Sequence, residues 1–117
     1  MPVLIPVSHG EYFDRLTILE LKAARIQEPD KRARATAQLA QLRGLAKVPD
    51  PPAPVADLRA VNSQLWELER RIRTTEGEAR FAELARQIQR LNGDRAALKA
   101  QIDAALGGAP GEVKDYG

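Results

Sequence analysis

The residues best suited to chemistry in this sequence are charged and amide side chains at helical spacing. Glu11, Asp14, Thr17 and Glu20 follow one another at intervals of three residues, which places them along one face of a helix. Two carboxylates on one face can carry out acid–base chemistry or bind a hard cation. They can equally pair with arginines from the next helix, and the spacing leaves these alternatives open.

Arg95 is the most informative single residue because it occupies a position in an apolar stripe, between two leucines. A buried guanidinium without a carboxylate partner costs several kcal/mol. We therefore expect Arg95 to pair with Asp14, Glu20 or Glu69, or to extend its head to the rim of a helical bundle. The functional alternative is an arginine that binds an anion in a cleft.

Two further polar groups lie beside apolar stripes. Asn62, Trp66, Glu69 and Arg73 flank the leucines of one segment, and Trp66 is the only tryptophan. We interpret Trp66 as a core or interface residue in preference to a stacking platform for a ligand. A second group surrounds Gly93 and comprises Arg86, Asn92, Asp94, Arg95 and Lys99. Assembly of the helices would join these groups into a polar network or a pocket.

Composition excludes several kinds of site. The sequence has no cysteine, which rules out disulfides, thiolate metal sites and thiol nucleophiles. His9 is its only histidine, so a histidine metal site or a Ser–His pair is not expected, and we predict no cofactor and no metal. The 18 basic and 16 acidic residues are interleaved, whereas nucleic-acid binders usually concentrate basic residues on one face.

Length and hydropathy indicate one folded helical domain. The chain has 117 residues, of which 44% are hydrophobic and 4% aromatic, so its core must be aliphatic. No segment approaches the roughly 20 apolar residues that cross a bilayer. The apolar run 2–7 contains two prolines and lacks a preceding basic region, unlike a signal peptide. We therefore predict a cytoplasmic protein without membrane insertion.

Helix signals divide the first half of the chain. Ser8 and Glu11 form a capping-box pattern after an extended arm. Pro29 is expected to end the first helix and Asp30 to cap the second. The core face predicted for the first helix is Tyr12, Leu16, Leu19, Ala23 and Ile26, and that of the second is Ala35, Leu39, Leu42 and Ala46.

The second half contains two longer apolar stripes. One comprises Leu58, Val61, Leu65, Leu68 and Ile72, and the other Phe81, Leu84, Ile88, Leu91, Arg95, Leu98, Ile102 and Ala105. The stripes differ in phase, which places a turn at 74–78. We predict an all-α fold of two helical hairpins that form a bundle in one domain. Residues 1–47 form the arm and first hairpin, 48–54 a Pro-rich linker, 55–108 the long hairpin and 109–117 a flexible tail.

Several stretches carry a family resemblance: 7–11, 14–22, 62–69, 81–86, 91–99 and 112–116. They resemble a family of small bacterial all-helical proteins, a domain of unknown function loosely associated with genes for glycosyltransferases and surface polysaccharides. The chain departs from the family pattern at His9-Gly10 and at Gly93. The resemblance joins the following positions into one motif set: Glu11, Asp14, Thr17, Glu20, Lys22, Asn62, Trp66, Glu69, Arg86, Asn92, Arg95, Lys99, Glu112, Lys114 and Tyr116.

Three functions follow as hypotheses. The first is a non-catalytic interaction module that self-associates and serves a larger bacterial enzyme, because the sequence has long heptad stripes and lacks a catalytic signature. The second is an anionic-ligand site formed by Arg86, Arg95 and Lys99, binding only or catalysing as the all-helical chorismate mutases do through electrostatic positioning. The third, nucleic-acid binding through arginines, is disfavoured by the interleaved charges.

Overall fold

The computed structural model describes residues 3–45 and 48–107, and within these ranges the chain is all-α. Four helices follow in order: α1 (His9–Arg25), α2 (Pro29–Arg43), α3 (Pro54–Ile72) and α4 (Glu78–Ala105). Helices α1 and α2 pack together as one hairpin and α3 and α4 as the other, which confirms the predicted architecture. The predicted tail 109–117 and Ala46 lie outside the described residues.

The start of α1 follows the sequence signal in part. The Ser8 side chain accepts a hydrogen bond from the Glu11 backbone N–H at 3.1 Å, as an N-cap should. The Glu11 carboxylate, however, binds Arg15 and Lys99. The reciprocal half of a capping box is thus replaced by ion pairs, one of them to another helix.

The boundary between α1 and α2 corrects the prediction. Helix α1 ends at Arg25, and Pro29 is the first residue of α2. The cap is Glu28, whose carboxylate accepts from the N–H groups of Asp30 and Lys31 at 3.1 and 2.9 Å. Proline suits a first helical position because its missing N–H has no partner there and its φ is already helical. The expectations that Pro29 ends α1 and that Asp30 caps α2 were therefore wrong.

The core face of α1 also differs from the predicted one. The predicted residues, from Tyr12 to Ile26, are all partly buried, whereas the buried side chains are Phe13, Asp14, Thr17 and Leu21. Helix α1 packs on α2 as well as on α3 and α4, and Tyr12 and Leu16 of the predicted stripe also pack against the main core. The Tyr12 hydroxyl accordingly donates to the Leu42 carbonyl of α2 at 3.0 Å.

The main core lies between α1, α3 and α4. Its centre is Phe13, Val55, Leu58 and Ile102, none more than 2% exposed. The stripe of α3 is buried at Leu58, Leu65 and Leu68, as predicted. Among the described helices α2 contacts α1 alone, and its buried residues are Ala35 and Leu39.

The long hairpin turns between Ile72 and Glu78, as the change of phase indicated. Gly77 has φ of 93°, a left-handed conformation that glycine adopts readily. Phe81, predicted as a stripe residue, is 50% exposed, and Ala105 is exposed as well. Both lie near the ends of α4. No helix in the described ranges is long and apolar enough to span a bilayer.

Candidate functional site

Four polar side chains from three helices meet inside the core. Asp14 and Thr17 come from α1, Asn62 from α3 and Arg95 from α4, and we call this group the polar layer. Asp14, Thr17 and Asn62 are 2%, 0% and 4% exposed. Along the helices the layer falls between the main apolar cluster and the leucines at 21 and 65. Three of the four side chains are therefore secluded from solvent.

Asp14 is the acceptor at the centre of the layer. Its Oδ1 accepts from Arg95 Nε at 2.9 Å and from Asn62 Nδ2 at 3.0 Å, and its Oδ2 accepts from Arg95 Nη2 at 2.6 Å. The guanidinium thus binds the carboxylate through two parallel bonds, the geometry that gives arginine pairs their strength and orientation. Of the three carboxylates expected for Arg95, the structure selects Asp14.

Thr17 and Asn62 complete the network. The Thr17 hydroxyl donates to the Asp14 carbonyl at 2.9 Å and accepts from Asn62 Nδ2 at 2.9 Å. Each buried group therefore has a partner, which removes the cost of an unsatisfied polar atom in an apolar interior. The layer ties α1 to α3 through an amide and to α4 through an ion pair.

The charges of the layer stabilise one another. Burial by itself raises the pKa of Asp14, but the hydrogen bonds from Arg95 and Asn62, with the positive charge beside them, outweigh it and leave the pKa lowered. The hydrogen bond to Asp14 raises the pKa of Arg95 in turn. Asp14 is consequently ionised and fully engaged, so it is not poised to exchange a proton near neutral pH.

A second ion pair lies at the edge of the layer. Lys99 Nζ is 2.7 Å from Glu11 Oε2 and 3.9 Å from Asp14 Oδ2. Arg15 binds the other Glu11 oxygen at 3.1 Å. The hydrogen bond from Lys99 is the largest cause of the lowered pKa of Glu11. Both cations of the α4 motif, Arg95 and Lys99, are thus neutralised by carboxylates of α1.

Asp103 is a buried polar residue that the sequence analysis missed. It is 6% exposed, and its Oδ1 accepts from the Gly10 backbone N–H at 2.7 Å. An acidic residue in the last turn of a helix opposes the macrodipole, and this was the available signal that Asp103 has a tertiary partner. It places a carboxylate at the N-terminus of α1, where the dipole favours negative charge.

Gly10 permits this close approach of α1 to α4. A Cβ at position 10 would lie 2.4 Å from the Lys99 carbonyl oxygen, which no side chain allows. Gly93 differs, because a Cβ there would meet nothing within 4 Å. The first glycine is required by packing, and the second is a tolerated position on the exposed face of α4.

A cleft opens beside the polar layer between α1, α3 and α4. Its volume is about 160 Å³ and its lining consists of Ile18, Leu21, Lys22, Asn62, Leu65, Trp66, Glu69 and Arg95. Trp66 also lines a wider groove along α1 and α3, together with Arg25, Ser63 and Arg70. Lys22 lies on the α1 wall of the cleft and Glu69 on the α3 wall. Neither forms a salt bridge within the described residues, although the negative charge of Glu69 contributes to the raised pKa of Arg95. We call it the Trp66 cleft.

The motif set is therefore only partly brought together. Six members form the polar layer and its edge, and Lys22, Trp66 and Glu69 line the Trp66 cleft. Glu20 lies apart and binds Arg43 of α2 at 3.1 Å and Arg59 of α3 at 3.2 Å. Arg86 and Asn92 are exposed on α4. Glu112, Lys114 and Tyr116 lie outside the described residues.

Comparisons of the chain with protein-family models, with curated proteins and with solved structures found no match. The candidate site is consequently interpreted from its own geometry. Within residues 3–45 and 48–107, no group of three or more His, Asp or Glu side chains is arranged to hold a metal ion.

Proposed function

We propose that this chain is a non-catalytic helical interaction module that self-associates and serves a larger bacterial enzyme. The observation that carries the proposal is the apolar arm at 3–7, before α1. Val3, Leu4 and Ile5 are 87%, 88% and 69% exposed, and Val7 is 39% exposed. Contiguous aliphatic surface of this kind marks an interaction site, because water covers it at a free-energy cost.

The occupant we propose for the arm is the same arm of a second copy. Residues 3–5 form neither helix nor strand, and they make no backbone hydrogen bonds within the described part of the chain. Their N–H and C=O groups are free to form a short ladder with another extended segment. Pro6 limits that ladder because it lacks a donor. Pairing of two arms would cover the aliphatic side chains of both.

The polar layer supports a binding module in preference to an enzyme. Asp14, Asn62 and Thr17 are buried and bonded to one another, and Arg95 holds Asp14 through two hydrogen bonds. Such a network fixes the positions of three helices. A catalytic group needs a free proton or lone pair directed at a substrate.

The larger enzyme and the compartment are further parts of the proposal. The family resemblance alone supplies the link to glycan biosynthesis, and it is the basis for proposing that the enzyme belongs to that class. A cytoplasmic location is consistent with the lack of a membrane-spanning helix in the described ranges.

The charge pairing favours this function over the two alternatives. Arg95 and Lys99 are neutralised by Asp14 and Glu11, and Arg86 lies apart, so the three cations do not converge on one anion. Of the surface arginines, Arg70 and Arg71 share one glutamate. This pairing reduces the positive charge that these two residues could offer to the phosphates of a nucleic acid.

Sedimentation equilibrium of the purified chain over a wide concentration range tests self-association. We expect a reversible dimer for wild type and a monomer for Leu4→Asp, Ile5→Asp, because carboxylates cannot be buried unpaired in the aliphatic contact. Leu45→Asp is the matched control, since Leu45 is also exposed, at 54%, and lies outside the arm. A wild-type chain that stays monomeric at every concentration refutes self-association.

The partner is tested by capture from a lysate with the wild-type chain and the arm variant. Recovery of a glycan-biosynthesis enzyme with both forms would assign its docking to another surface. Recovery of such an enzyme with neither form would refute the proposed accessory role. That result would leave the test of self-association unaffected.

A further inference from the structure

We infer that the Trp66 cleft is a binding site for a small zwitterion, a molecule with one ammonium group, one carboxylate and a short apolar body. This site is separate from the arm proposed for self-association. The inference rests on the charges that line the cleft, on the unused donor of Arg95 and on the apolar floor between them.

The charges of the lining point to a ligand with both signs. Asp14 and Arg95 neutralise each other. Lys22 on the α1 wall and Glu69 on the α3 wall carry opposite charges, and no salt bridge joins them within the described residues. A purely anionic or cationic ligand would satisfy one wall and leave the other charge facing a group of its own sign. A zwitterion satisfies both walls.

Arg95 adds a donor to the lining of the cleft. Its Nε and Nη2 are used by Asp14, and Nη1 has no acceptor within the described residues although the side chain lines the cleft. The bidentate pair holds the guanidinium plane in place, so Nη1 has a fixed direction before any ligand arrives. Lys22 Nζ supplies a mobile second donor, and the Glu69 carboxylate accepts from the ligand's ammonium.

The floor of the cleft is apolar and its size limits the ligand. Leu21 and Leu65 are buried, and Ile18 and Trp66 are partly exposed at the opening. The volume of about 160 Å³ admits a body of a few carbon atoms and excludes a nucleotide or an oligosaccharide. The indole offers a flat face against which an aliphatic body can pack.

A set of four compounds with the same six-carbon chain tests the inference. Norleucine and 6-aminohexanoate carry both charges at different separations, whereas hexanoate and hexylamine carry one each. Trp66 is the only tryptophan and lines both the cleft and the wider groove, so its fluorescence reports a ligand at either, and the Lys22 and Glu69 variants assign the response to the cleft. We expect at least one zwitterion to shift the emission and to bind roughly tenfold more tightly than both singly charged compounds, the worth of one charge-assisted hydrogen bond.

Two variants locate the site. Glu69→Gln and Lys22→Gln are each expected to weaken binding of the zwitterion roughly tenfold, and Glu69→Gln is expected to spare hexanoate. Glu83→Gln and Lys31→Gln, exposed on other surfaces, are the matched controls and should bind as wild type does. All four positions are exposed, so we expect the variants to fold as wild type does. Circular dichroism checks this expectation.

Three results would overturn the inference. The first is that none of the four compounds changes the Trp66 fluorescence at millimolar concentration. The second is equal affinity for hexanoate or hexylamine and the zwitterions, which indicates a simple apolar or singly charged site. The third is equal loss of affinity in the cleft variants and the control variants. None of these bears on the sedimentation test of the arm.

Discussion

The Nη2 atom of Arg95 lies 2.6 Å from Oδ2 of Asp14, and the two residues are separated by 81 positions in the sequence. The contact joins the first helix of one hairpin to the last helix of the other. Together with the Lys99–Glu11 ion pair and the Asn62–Asp14 hydrogen bond, it couples the two hairpins beside the main core.

The first prediction concerns the energy of that pair. Asp14→Asn and Arg95→Met should each lower the free energy of unfolding by about 2–4 kcal/mol, because each leaves a partner without its counter-charge in a largely buried position. The double variant should lose about 1–3 kcal/mol less than the sum. Urea unfolding of the four proteins measures this coupling.

A surface pair provides the comparison for the coupling. Arg71→Met removes a partner of Glu67, and both side chains are well exposed, so it should cost much less stability than either polar-layer variant. If Asp14→Asn and Arg95→Met were strictly additive, the pair would contribute no more than an exposed one, and the description of the polar layer would be incorrect.

The second prediction concerns the loss of stability at acidic pH. The pKa values of Asp14 and Glu11 are lowered by folding from ordinary values of 3.8 and 4.5. The folded state thus binds protons less readily than the unfolded state, and the resulting stability is present above these values and is lost as pH falls through the lowered ones. Thermal unfolding between about pH 6 and pH 2 should show a falling Tm.

The variant Asp14→Asn should flatten that fall, because a residue that no longer titrates cannot contribute to it. Glu83→Gln, at an exposed position on α4, should keep the wild-type slope. An unchanged slope in Asp14→Asn would show that other carboxylates account for the acid sensitivity.

The third prediction contrasts two glycines. Gly10→Ala should destabilise the protein by about 2 kcal/mol or more, because its Cβ would collide with the backbone of Lys99 and force α1 away from α4. Gly93→Ala should stabilise it by up to about 1 kcal/mol, since alanine is the better helix former and the position is open. Chemical denaturation measures the free energy of unfolding of each variant, which should fall for Gly10→Ala and rise for Gly93→Ala.

The same substitution at the two sites controls for helix propensity. Both glycines lie within helices, so propensity alone predicts a gain at each. A gain at Gly10 would mean that α1 and α4 do not approach as closely as described.

The fourth prediction concerns α2. Because α2 packs only on α1 among the described helices and buries just Ala35 and Leu39, its amides should exchange with solvent faster than those of α3. Leu39→Ala should accelerate exchange in α2 and leave α3 and α4 nearly unchanged. Hydrogen exchange followed by mass spectrometry measures both, and uniform acceleration over all four helices would show that α2 unfolds only together with the rest.

The order and type of the helices were predictable because the local signals were strong. The prolines at 49–54 and the phase change near Gly77 fixed the breaks, and the α3 stripe identified its core face. The face of α1 was not predictable from periodicity, because that helix packs on two sides and its deeper face contains Asp14 and Thr17. A pattern search for apolar residues passes over a polar core position.

The four residues of the polar layer all belong to the predicted motif set, but that set contained eleven other positions and the sequence did not single out these four. Arg95 in an apolar stripe indicated a carboxylate partner, but the sequence could not choose among Asp14 and Glu20 on α1 and Glu69 on α3 until the packing of the helices was known. Asp103 shows most clearly what the sequence could not predict, since its partner is the backbone N–H of a residue 93 positions away. A main-chain partner leaves no complementary side chain in the sequence to search for.

The polar layer has a consequence for the alignment of the helices. Apolar stripes tolerate a shift of one heptad, because leucine can replace leucine in the same gap. A slide of α4 by one heptad against α1 would bring Ile88 or Ile102 to the position of Arg95 and leave the charge of Asp14 without that partner. Only one alignment satisfies the carboxylate, so the layer selects a single register for the bundle, as one polar residue does in a coiled coil.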